Sequence, residues 1–240
     1  MKHPFRSHIL PYFTVGASVL AIALRLWLYA GIDEKGLLPT GHPAGYGLVF
    51  LSVLTVGILF LATRELKPRK INKKHLRLFS TAAYALAGIC LILAAVVELS
   101  GNMIRLAWVA VAAALLGGLI LLLMAVLRFF RRKPPYWISA VITGVLMLNT
   151  VAQCQIWGSE PQLQEYLFPL LASVFLILCA YEKTKYAAKR GSPRALAFFS
   201  QCALFFCCVS LNTDHWLLYF GMMLWAAVQF YPCILMKKEV

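Results

Sequence analysis

Eight apolar stretches in this chain are separated by connections that are alternately rich in Lys and Arg and nearly free of them. Cationic flanks resist translocation, so this rhythm belongs to a chain that crosses lipid repeatedly with its basic connections on the cytoplasmic side. All but three of the 23 Lys and Arg residues fall on that side; the exceptions are Arg25, Lys35 and Arg105. The acids lean the other way, with Asp33, Glu34, Glu98, Glu160, Glu165 and Asp214 on the outer side. Losing one crossing would break the alternation downstream, so an even count is expected, with both termini in the cytoplasm.

Composition agrees. A chain of 240 residues that is 61% hydrophobic and 13% charged has too little polar surface to coat a water-soluble globule. A span needs about 20 mostly apolar residues to cross a hydrocarbon core of roughly 30 Å. Spans are expected near 8–31, 43–63, 77–100, 104–127, 136–157, 163–182, 194–213 and 215–236. All should be helical, because lipid offers no partner to a free backbone N–H or C=O. The expected fold is therefore an all-α integral membrane protein, an eight-transmembrane-helix bundle. Residues 1–240 are expected to form a single transmembrane domain with no soluble domain, in the cell (plasma) membrane. The first apolar run is too long for a signal h-region and lacks an A-x-A-like exit, so it is expected to persist as a span.

Several function classes are disfavoured. The basic residues flank spans instead of forming a recognition module, so no nucleic-acid partner is expected. The seven cysteines include no C-x-x-C, and most lie inside spans, where a thiol packs as a small apolar group. No H-E-x-x-H or Cys/His cluster suggests a metal, and no cofactor is expected. There is no G-x-S-x-G, no phosphate-binding G-x-x-x-x-G-K-[ST] and no G-x-G-x-x-G. Dispersed acid/base candidates for an enzyme would be Glu98, Asp214 and His215.

Polar residues inside spans carry the most functional information, because desolvating them is costly and they usually face the bundle interior. Arg25 lies about 9 Å below the outer end of the first span. Glu98 closes the third; Asn149 and Gln153 share one face of the fifth at i, i+4; Asn212 and Asp214 end the seventh. These six residues, all in the outer half, suggest a polar vestibule. Arg25 is expected to pair with Glu98 or Asp214, or to snorkel outward. Gln201 and Gln229 are the deeper amides of the cytoplasmic half, and Pro169 and Pro232 could bend the sixth and eighth spans.

Ala110, Ala114 and Gly118 recur every fourth residue on the fourth span, which is expected at the bundle centre. Trp27, Trp108, Trp157 and Trp216 suit an outer interfacial belt. A faint repeat at an offset of 120 residues (Phe79-Ser80 with Phe199-Ser200, Ala83 with Ala203) would make a 4+4 parallel pseudo-repeat. The Ala17-x-x-x-Ala21 element resembles one in the membrane-embedded substrate-binding subunits of energy-coupling-factor vitamin transporters. That likeness covers one helix, those subunits have six spans, and no property is carried over.

Three functions follow as expectations. The first is binding of a small polar or anionic solute from the outer side, for transport if a partner protein or energising subunit, or a gradient, drives it. The second is a non-catalytic sensor or assembly subunit that docks a cytoplasmic partner on Arg69, Lys70, Lys73 and Lys74. The third is a membrane enzyme acting on lipid or isoprenoid at the outer interface.

Overall fold

The structure, a computed structural model, describes residues 9–31, 41–64, 74–100, 107–132, 134–157, 166–212 and 215–234. Its elements are all helical: α1 (Ile9–Tyr29), α2 (Pro43–Arg64), α3 (Lys74–Ser100), α4 (Ala107–Phe129), α5 (Tyr136–Trp157), α6 (Leu167–Ala187), α7 (Pro193–Val209) and α8 (Trp216–Ile234). A short 3-10 turn, Ser210–Asn212, extends α7. Six helices, α1 to α6, are long and apolar enough to cross a membrane. The described part of α8 and the 17-residue α7 are apolar but shorter.

Large apolar side chains cover the outside of the bundle, among them Val49, Phe50 and Val53 on α2 and Leu116, Leu119 and Leu123 on α4. A surface of that kind is expected against lipid and is rare on a soluble monomer. Trp27, Trp108 and Trp216 of the expected belt are exposed, and the side chain of Trp157 lies outside the described residues.

Helix ends follow local chemistry. Pro43 and Pro193 open α2 and α7, where a missing N–H costs nothing. The His42 ring accepts the Ala44 N–H at 3.2 Å, satisfying one free donor of α2. At the far ends of α4 and α6 the chain reverses through left-handed residues, Arg131 (φ 60°) and Lys189 (φ 62°). Arg132 N–H then reaches Leu127 O, and Arg190 N–H reaches Lys185 O, so both helices close with Schellman caps.

Contacts between α3 and α8 fix their antiparallel register: Glu98 meets His215 at one end, and Tyr84 meets Gln229 at the other. Arg25 meets Val209, which sets the late part of α1 beside the late part of α7. The bundle thus has a His215 end and a Lys183 end, and each collects its own polar groups.

Three local expectations need correction. The centre belongs to α7, which packs on α1, α2, α6 and α8 and buries aromatic and thiol side chains all round. The small-residue stripe of α4 marks a close pair instead: a Cβ on Gly118 would sit 2.9 Å from the Gly88 carbonyl of α3. Pro169 falls in the first turn of α6, so it has no bend to make. The third correction is the end of α6, which runs on to Ala187 and so carries Lys183 and Lys185 as helical residues. The 120-residue offset would relate α3 and α4 to α7 and α8; both pairs pack, while α3 also lies on α8 and α7 on α1, α2 and α6.

Candidate functional site

Arg25 is 3% exposed, so it neither snorkels nor faces lipid. Its Nη1 donates to the Val209 carbonyl of α7 at 2.8 Å, and its Nη2 to the Tyr29 hydroxyl, one turn further along α1, at 3.3 Å. The rings of Tyr29 and Phe168 lie 5.6 and 5.7 Å from the guanidinium carbon. The last carbonyls of a helix have no internal partner and carry the negative end of its dipole, so a cation is favoured there. Two aromatic faces add further attraction. All these partners are neutral, and among the described residues no carboxylate lies within ion-pair distance of Arg25.

The expected pairing of Arg25 with Glu98 is therefore replaced. Glu98 Oε1 lies 2.9 Å from His215 Nδ1. His215 precedes α8 and its carbonyl receives the Leu218 and Tyr219 N–H groups, so the pair holds a carboxylate beside the start of that helix. Asp214 and the side chain of Asn212 lie outside the described residues.

Asn149 and Gln153 share the buried face of α5, as their spacing requires. Gln153 Oε1 accepts the Tyr219 hydroxyl of α8 at 3.4 Å, but its Nε2 has no partner, and neither has Asn149 Oδ1. Tyr219 also faces the Ser173 hydroxyl of α6 and lies within electrostatic reach of Arg25. Arg25, Gln153 and Tyr219 thus belong to one buried cluster at the His215 end, supplied by α1, α5 and α8. Its inventory is one cation, one unpaired amide donor and a phenol. Such a set can receive an acceptor-rich group, for which the guanidinium supplies charge and the amide direction.

Sequence reasoning missed Tyr219, Ser173 and Val209. Tyr219 is an aromatic residue in an apolar helix, which gives no local sign of a hydrogen-bonding task. Val209 acts through its backbone, which the amino-acid code does not display.

Gln201 stands apart from this cluster. It is fully buried in α7, and neither amide atom has a partner. An unpaired buried polar group costs about 1–3 kcal/mol. Gln201→Met keeps the shape and removes the orphan, so it is expected to raise the thermal midpoint of the purified protein. A lowered midpoint would show that the amide is paired in the working protein.

No protein family, curated protein or solved structure matches the chain.

Proposed function

We propose that this is a multi-pass membrane protein with eight crossings and both termini in the cytoplasm, and that it binds a small anionic or polar solute at the His215 end, the outer end in that orientation. One observation carries the reading: a buried guanidinium whose described partners are a carbonyl, a phenol and two ring faces, without a carboxylate. Burying a charge is costly unless it is compensated, and intramembrane ionisable groups mark ligand or ion paths more often than packing. A solute carboxylate or phosphate would supply the missing charge. Asn149 Oδ1 and Gln153 Nε2, one turn apart, would orient its polar edge. Transport is the natural use of such a site in a chain of this kind, with a partner or a gradient supplying the energy.

The test is a thermal-shift screen of the purified protein against small carboxylates, phosphates and amino acids, repeated on Arg25→Gln. A solute that stabilises the wild type is expected to bind the variant at least about tenfold more weakly, the loss of one charge-assisted contact. Equal shifts in both proteins would remove Arg25 from the site and overturn the reading.

The docking reading rests on cations of which Arg69, Lys70 and Lys73, with the side chain of Lys74, lie outside the described residues. At the Lys183 end Arg131, Arg132, Lys189 and Arg190 are exposed, which leaves a basic face for a partner or for anionic lipid.

A further inference from the structure

The second polar concentration lies at the Lys183 end, and it gathers four helices around one phenol. Tyr84 of α3 is fully buried. Its hydroxyl receives Lys183 Nζ of α6 at 2.5 Å and Gln229 Nε2 of α8 at 2.8 Å. Lys183 also donates to Gln229 Oε1, and Gln229 Nε2 reaches back to the Trp225 carbonyl at 3.2 Å. From α4, the Arg128 guanidinium carbon stands 4.6 Å from the centre of the Tyr84 ring, while Lys183 Nζ is 5.3 Å from the same point.

Two cations are therefore held at one phenol, Arg128 at its ring and Lys183 at its hydroxyl, and their described partners are all neutral. The adjacent Glu182 does not compensate them: it bonds Lys185, one turn on, at 2.8 Å. Like charges held close repel, and a half-buried setting screens them poorly. Lys183 uses two of its three N–H groups on Tyr84 and Gln229, and the Arg128 fork has no hydrogen-bond partner among the described residues. The donors left over, one on Lys183 and those of the Arg128 guanidinium, carry positive charge and suit a phosphate oxyanion.

We infer that Arg128 and Lys183, set by Tyr84 and Gln229, form a binding site for a phosphate group at this end of the bundle. The group is either the headgroup of an anionic phospholipid or free inorganic phosphate, and it turns a repulsive pair of cations into a clamp that ties α4 to α6. Both cations are half-buried, so the site opens at the bundle surface, beside the exposed Arg131, Arg132, Lys189 and Arg190 that concentrate anions there. This site is separate from the Arg25 cluster, and each can fail without the other.

The full-length protein is reconstituted in nanodiscs of phosphatidylcholine alone or with phosphatidylglycerol, and its thermal midpoint is measured with and without added inorganic phosphate. A rise with phosphatidylglycerol only assigns a lipid headgroup; a rise with phosphate in the neutral discs assigns the free ion. Either rise is expected to disappear in Arg128→Gln and in Lys183→Gln but to persist in Arg131→Gln, which keeps the surface charge effect comparable. No rise with either anion, or an equal rise in all three variants, overturns the proposal. Should both site variants fail to fold, native mass spectrometry of the wild type decides: selective retention of phosphatidylglycerol or phosphate over neutral lipid supports the site, and equal retention overturns it.

Discussion

Leu119→Arg is expected to cut the folded yield in membranes sharply and to lower the thermal midpoint of whatever protein is recovered. Leu119 lies at the midpoint of α4 and is 57% exposed. In water, exchanging an exposed leucine for arginine changes stability by no more than about 0.5 kcal/mol. In the middle of a bilayer the same exchange costs about 3–4 kcal/mol, because an apolar side chain that favours lipid is replaced by a cation that does not. That is a large part of the net stability of an ordinary domain. Arginine in place of Phe129, exposed at the last residue of α4, is expected to be tolerated, since its side chain can extend to the headgroups. Equal tolerance at the two positions would mean that α4 does not sit in lipid.

The residue beside it is expected to be as sensitive for the opposite reason. Gly118 turns toward α3, where an added Cβ would stand 2.7 Å from Ile92 Cγ1 and 2.9 Å from the Gly88 carbonyl. The reverse substitution is no easier, since a Cβ on Gly88 would meet the Gly118 carbonyl at 2.8 Å. Backbone oxygens cannot rotate away as a side chain can, so the two helices must separate. Helices in lipid are held by close packing with little hydrophobic drive between them, so separation forfeits the interaction that joins this pair. Gly118→Ala is expected to cost about 1–3 kcal/mol, read as a lowered midpoint in detergent or nanodiscs. Gly144→Ala on α5, where the added Cβ meets nothing within 4 Å, is the control and should leave the midpoint unchanged or slightly raised. A silent Gly118→Ala would mean that α3 and α4 do not approach at the Gly88–Gly118 contact.

Together the two variants test different levels of organisation on adjacent residues. Leu119 reports the solvent of the bundle, and Gly118 reports which helix is its neighbour. The same division separates the two polar clusters. Arg25 is distinguished by its depth in an apolar run, which is visible without coordinates. Lys183 has the look of an ordinary basic residue after a span, and only the continuation of α6 to Ala187 carries it into the bundle interior. Its partners, Tyr84 and Gln229, come from helices that a linear reading places far apart.

The position and number of the helices were legible in the amino-acid order, because length, apolarity and the Pro residues at Pro43 and Pro193 act within a few residues of where they stand. The polar residues gathered at the His215 end were legible for the same reason, as depth is counted along a single helix at about 1.5 Å per residue. Partners were not. Whether Arg25 meets Glu98 or the Val209 carbonyl depends on which faces of α1, α3 and α7 turn toward one another, and that follows from the packing of all eight helices at once. Apolar length along the chain therefore places the helices, while helix rotation and close approach at points such as Gly88 and Gly118 decide which side chains meet.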